Sequence, residues 1–169
     1  MSLLRPSAHR RAIGPLAALL LLVAAAWPAT PAARAELPPL AVVISAQTGV
    51  RSVSKAQLRR CFMGSLIEVS GVRLVPLNQP AGSAARRMFD RAILGMSEQA
   101  SQRFWIDSLI RDGKRAPRAT NNPRLLTKVV KKLRGAIGYV DAATVAGDAQ
   151  LHSLVIDGAS VGEERYPLR

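Results

Sequence analysis

The run Leu-Ala-Val-Val-Ile-Ser at 40–45 constrains this chain more than any other stretch. It is a compact apolar run rich in β-branched residues, and it reads as a buried strand. A second run, Gly-Ala-Ile-Gly-Tyr-Val at 135–140, gives a short strand between glycines near the other end of the chain. Most of the residues between the two carry helical patterns. Strands separated by helices imply an α/β three-layer sandwich with a largely parallel sheet.

The intervening elements follow from local chemistry. After the loop "AQTGVRSV", Ser54 opens a helix, and Gln57 three residues on completes a capping-box pattern. Ala56, Leu58, Cys61 and Phe62 supply its apolar side, and Gly64 stops it. A second strand spans Val72 to Val75, entered through Gly71 and ended by Pro76. Ala85, Met88, Phe89, Ala92 and Ile93 recur at helical spacing, predicting an amphipathic helix from Ser83 to Leu94, with Gly95 terminating it. Ser97 caps the next helix, which runs to about Ile110 with Phe104, Trp105, Leu109 and Ile110 as its inner side. A basic loop, "RDGKRAPRATNNP", leads to Asn122 and Pro123, a cap followed by proline at the first helical position. Leu125, Leu126, Val129, Val130 and Leu133 face inward there, and the lysines and Arg134 complement the C-terminal end of the dipole. "DAATV" forms a brief helical turn. Leu151 to Ile156 is a last strand with His152 on its polar phase, and Ala159 to Arg169 is a loose tail.

Met1 to Ala35 reads as a secretory signal peptide. It has a basic start, an apolar stretch from Leu16 to Trp27, and Ala33-Arg34-Ala35 as a small-x-small cleavage pattern. The apolar stretch is short for a membrane span, which needs ~20 residues. Residues 36–158 then form one domain and 159–169 the tail. The leader holds four of the 24 basic residues and none of the 11 acidic ones, so the remainder (20 basic against 11 acidic) carries +9. Such a surface favours anionic partners. Export argues against nucleic acid and for phosphate-like solutes or anionic envelope surfaces. Cys61 is the single cysteine, so no intramolecular disulfide forms, and it reads as a small buried hydrophobe. One cysteine and His152 make no metal-ligand cluster, and no cofactor is implied. No nucleophile–base–orienter set stands out, and Asp90 and Asp107 read as solvent-facing, so the chain reads as a non-enzyme.

The stretch "NQPAGSAARRMFDRAIL" at 78–94 holds the one candidate site. With Ser83 as the cap, Ala84 and Ala85 are small and leave the first helical amides accessible to an anion. Arg86 falls at the third helical position, where a cation opposes the helix dipole by ~0.3–1 kcal/mol. A bound oxyanion would reverse that sign, and a guanidinium can hold one bidentately. The plain alternative is a serine cap with surface arginines, partly offset by Asp90 one turn on.

From Leu40 to Ile156 the chain resembles small periplasmic proteins of the phosphate-transporter substrate-binding-like kind, which look like one lobe of a type II periplasmic binding protein. "LAVVIS", "LRRCFMGS", "QPAGSAARRMFDRAILGMS", "FWIDSLI" and "GAIGYV" carry the resemblance in order. It places the family's Pro-x-Gly-Ser-x-x-Arg-x-x-Phe pattern on Gly82, Ser83, Arg86 and Phe89. It implies a three-layer α/β fold and an oxyanion such as phosphate as ligand, bound at Gly82, Ser83, Ala84 and Arg86. A membrane permease of the ABC type or an envelope protein would be the partner, in the periplasm. The full-length phosphate receptors have a Ser-Gly-Thr-like segment at this helix start. Here Gly82-Ser83-Ala84 lacks one hydroxyl, and no counterpart of the receptors' first phosphate-binding loop precedes Leu40, so half a clamp is expected. The alternative implied function is a module that kept the fold, lost the ligand and docks on an envelope protein or anionic surface.

Overall fold

The computed structural model describes residues 38–169; the predicted signal peptide lies outside them. Four strands of the five-stranded central sheet point the same way, in the order β6 (Arg118–Ala119), β5 (Val75–Asn78), β7 (Ala136–Asp141), β1 (Leu40–Ser45), β8 (Leu151–Ser153). β5 pairs in parallel with both β6 and β7. β1 is the exception: it runs antiparallel to β7 and to β8, so that β7 and β8 share one direction. The largely parallel α/β sheet expected from the alternation of elements is therefore present, with one reversed strand inserted near its edge.

Every residue of β1 is buried, and its side chains alternate between two cores. Leu40, Val42 and Ile44 pack with Leu58 and Phe62 of α1 (Lys55–Phe62) and with Phe89 of α2 (Ala84–Phe89). Ala41 and Val43 pack on the other face with Leu126 and Val130 of α4 (Pro123–Lys132) and Val145 of α5 (Ala142–Val145). Helices thus cover both faces and make three layers. β7 obeys the same alternation, Ile137 and Tyr139 facing the first core and Ala136 and Val140 the second. Phe89 stacks on Tyr139 with ring centroids 4.0 Å apart, and Phe62 leans on Phe89 at 4.6 Å. This aromatic group fixes α1 and α2 against β7.

The helix starts form as their sequences direct. Ser54 and Gln57 make the reciprocal capping box, and Ser83, Ser97 and Asn122 each accept the N3 amide. Several expectations are corrected. The predicted second strand divides: Val72–Arg73 is β4, hairpinned with β3 (Glu68–Val69), while β5 runs through Pro76 to Asn78. Proline is tolerated there because the Val75 amide is the one that bonds toward β7, to Gly135 O at 2.8 Å. The Pro76 nitrogen faces the other way, where pairing with β6 begins only at Leu77. The inner side of α3 (Glu98–Asp112) is Ser101, Trp105 and Ser108; Leu109 and Ile110 are exposed, Ile110 at 80%. Small polar residues flanking Trp105 let the helix approach closely enough for the indole to reach Gly64, where an added Cβ would stand 3.2 Å from it. Leu125 of α4 and Leu133 just past its end are likewise exposed, leaving Leu126 and Val130 as the fully buried residues of the helix.

The last predicted strand is two. Beyond β8 the chain crosses to a second small sheet, where β9 (Val155–Ile156) runs parallel to β2 (Ser52–Val53). The expected loose tail is instead anchored, with Tyr166 and Leu168 buried in the first core. Among the described residues, no helix is long and apolar enough to cross a membrane.

Candidate functional site

β5 ends at Asn78, and Gln79, Pro80, Ala81 and Gly82 carry the chain over the C-terminal edge of the sheet into α2. In open α/β sheets the crevice outside the carboxyl ends of the strands is where ligands bind. The edge here is polar beneath its surface. Asn78 and Gln79 are buried. Tyr139 donates its hydroxyl to Asn78 Oδ1 at 3.2 Å and accepts the Gln79 amide at 3.3 Å, while Gln79 Nε2 donates to Tyr139 O at 2.8 Å. Burial pushes the Tyr139 phenol well above its ordinary range, with the nearby Arg86 charge opposing that shift.

Gly82 adopts φ +78°, a left-handed conformation that favours glycine, and so turns the chain into the helix. Its amide donates to Glu98 Oε1 at 2.7 Å, and its carbonyl accepts from Arg87 Nη1. Ser83 caps α2 through its Oγ, which accepts the Arg86 amide at 3.2 Å. Among the described residues, the Ala84 and Ala85 amides have no hydrogen-bond partner, as expected of the first two helical positions. Ser83, Ala84 and Ala85 line a cavity of about 320 Å³ together with Gln79, Pro123 and the acidic Asp141.

Arg86 points elsewhere. Its Nε donates to both carboxylate oxygens of Asp90 at 2.9 Å. The pair lies in the interior, the Arg86 side chain 12% exposed and that of Asp90 2%. Asp90, read from sequence as solvent-facing, is thus buried. It opens a π-helical turn, Asp90–Leu94, that follows α2 directly; such insertions recur at functional sites. Burial raises the Asp90 carboxyl above its usual range, and the Arg86 charge works against that rise. Arg86 and Asp90 face a second cavity, of about 390 Å³, bounded by Glu98, Ser101, Trp105, Ile106, Ala116, Pro117 and Ala119.

The four candidate residues are therefore neighbours that divide between two cavities. Ser83 and Ala84 share one, Arg86 faces the other, and the Gly82 amide is held by Glu98. Sequence reading set Asp90 one turn from Arg86 but placed it in solvent, and it missed Glu98, Asn78, Gln79 and Tyr139. The four-residue spacing of Arg86 and Asp90 was a usable signal for an ion pair. Nothing local signals that Glu98, 16 residues away, folds back onto Gly82.

No family model and no curated protein matches the chain. Solved structures do. A protein from Clostridium perfringens assigned as a phosphate ABC transporter substrate-binding protein, with bound phosphate, is similar at TM-score 0.58 and 15% identity; the match covers 73% of this chain and 46% of that one. An ABC-type phosphate transport receptor from Vibrio cholerae is similar at TM-score 0.56 and 16% identity, covering 73% of this chain and 48% of that one. PstS from Borrelia burgdorferi gives 0.51 and 12%, covering 72% and 48%. The first is described as a substrate-binding protein and the second as a transport receptor. The chain spans about half the length of these structures and has the mixed α/β fold of one lobe of such phosphate-binding proteins.

Proposed function

We propose that the chain is a non-enzymatic, periplasmic solute-binding-like protein that receives phosphate or a similar oxyanion at the Gly82–Arg86 helix start. An ABC-type permease or sensing partner would act with it. The observation that carries this reading is the pair of unpartnered amides at Ala84 and Ala85, opening into a cavity at the carboxyl edge of a sheet shared with phosphate receptors. Gly82 sets the turn, the Ser83 hydroxyl and the Ala84 and Ala85 amides supply donors, and Arg86 adds positive charge from one turn inside. Asp90 neutralises much of that charge and Asp141 opposes an anion, so the affinity is weak, in the millimolar range, unless a partner completes the site.

Titration of the full chain with phosphate and with sulfate, read as a thermal shift, tests the reading. Ala84→Pro is the informative variant. Proline is well tolerated at the first helical position but has no amide to donate. A phosphate-dependent shift that disappears in Ala84→Pro supports the proposal. No shift at millimolar ligand, or the same shift in both chains, removes it.

A second reading, docking on an envelope protein without a ligand, draws on the open apolar side of α3, where Ile106, Leu109 and Ile110 are exposed at 57%, 48% and 80%. Capture of an envelope partner that Ile110→Asp abolishes and phosphate does not affect would favour it.

A further inference from the structure

The cavity beneath Arg86 has a chemistry of its own. Trp105, Ile106, Ala116, Pro117 and Ala119 make its walls predominantly apolar. Its floor is the Arg86–Asp90 ion pair, in which Nε alone serves the carboxylate. The Arg86 side chain also reaches the Tyr139 hydroxyl, and the N–H groups of its terminal amino groups that remain have no partner among the described residues and face the space. Charge decides what those donors accept. Asp90 cancels Arg86, and Glu98 on the same wall adds one further negative charge. An anionic ligand entering this space would meet an excess carboxylate, and like charges repel. A neutral carbonyl oxygen could take the guanidinium donors without that opposition, while an apolar body filled the space against Trp105 and Ile106.

We infer that this cavity is a second binding site, distinct from the Ser83–Ala84 side, for a small neutral molecule with an apolar body and a carbonyl-type acceptor, such as a carboxamide. It does not rest on the oxyanion reading, which uses the Ser83–Ala84 cavity and shares only the charge of Arg86 with this one. The Asp90 and Glu98 carboxylates work against inorganic phosphate there, and the apolar walls offer it nothing in return.

Cyclohexanecarboxamide and cyclohexanecarboxylate, which differ chiefly in charge, are suitable probes. In the full chain carrying Trp27→Phe, the emission of Trp105 reports directly from the cavity wall. The carboxamide is expected to change that emission saturably in the range up to ~50 mM, as befits so small a ligand. The carboxylate should bind at least ~10-fold more weakly because it adds a second uncompensated negative charge. Ala119→Leu, which fills the cavity from an exposed position, should abolish the carboxamide response. Glu98→Gln keeps an acceptor for the Gly82 amide but removes the excess charge, and should narrow the gap between the probes. The inference is overturned if the carboxamide gives no saturable change, if the carboxylate binds as tightly to the unaltered pocket, or if Ala119→Leu responds unchanged.

Discussion

Arg86 and Arg87 are adjacent in sequence and opposite in environment. Arg87 is exposed and reaches back to the Gly82 carbonyl, whereas Arg86 turns inward to a carboxylate that water hardly touches. Deleting one partner of a buried pair leaves the other charge stranded. Arg86→Ala should therefore lower unfolding stability by about 3–5 kcal/mol in chemical denaturation, and Asp90→Ala added to it should recover much of that loss. Arg87→Ala should change stability by no more than ~0.5 kcal/mol, as for surface substitutions generally. Cys61 supplies a second test at this scale. It is fully buried beside Leu58 and Phe62, and burial pushes its thiol from 9.0 up to about 11. The neutral thiol is the form the folded state favours. Its contribution to stability is thus complete below pH 9 and is lost as pH rises through about 11, because the unfolded chain ionises first. A thiol-specific disulfide reagent at pH 8 should find no reactive sulfur in the folded chain and one after denaturation.

The elements that sequence revealed are those whose signals lie within a few residues. "LAVVIS" and "GAIGYV" announce strands buried on both faces, and Ser54, Ser83, Ser97 and Asn122 announce helix starts, because capping is settled by three or four neighbours. What escaped was decided at a distance. Whether Ile110 or Ser108 faces the core depends on how close α3 lies to Gly64, and whether Asp90 sees water depends on where Arg86 and Ser101 come to rest. The same distinction explains one glycine. Gly138 needs no unusual backbone angle; it is small because α4 crosses β7 there, and an added Cβ would stand 2.7 Å from Leu126 Cδ2. Gly138→Ala should cost about 1–3 kcal/mol by overpacking. Leu126→Ala alone should cost about 2–5 kcal/mol through the cavity it leaves. If the two side chains compete for one space, the double variant will be less destabilised than the sum of the singles, and additivity in a denaturation cycle would refute the crossing as the reason for glycine.

At the scale of the whole molecule, the reversed strand β1 holds the sheet to the end of the chain. β8 covers only the second half of β1, from Val43 to Ser45. Along the first half the edge would be bare, and an uncovered strand edge invites pairing with other chains. The C-terminal segment covers it instead. Leu40 donates its amide to Leu168 O at 2.8 Å, and Val42 donates to the Tyr166 hydroxyl at 3.3 Å. Tyr166 and Leu168 are 1% and 0% exposed, sealed into the same core as Phe89 and Tyr139. The helix start that carries the candidate site is packed on that core, so the terminus and the site share one set of contacts. Removing residues 166–169 would strip an aromatic and an aliphatic side chain from the interior and uncover two buried amides. A stability loss of at least ~3 kcal/mol follows from the aromatic alone. Tyr166→Phe should cost only about 1 kcal/mol, since it removes one hydrogen bond and keeps the packing. The truncated chain should also self-associate as concentration rises, because β1 then offers free amides at an edge. Thermal melts and sedimentation of the two variants separate these contributions. A truncated chain that melts like Tyr166→Phe and stays monomeric would show that the terminus is a passenger rather than the last strand-edge cover of the fold.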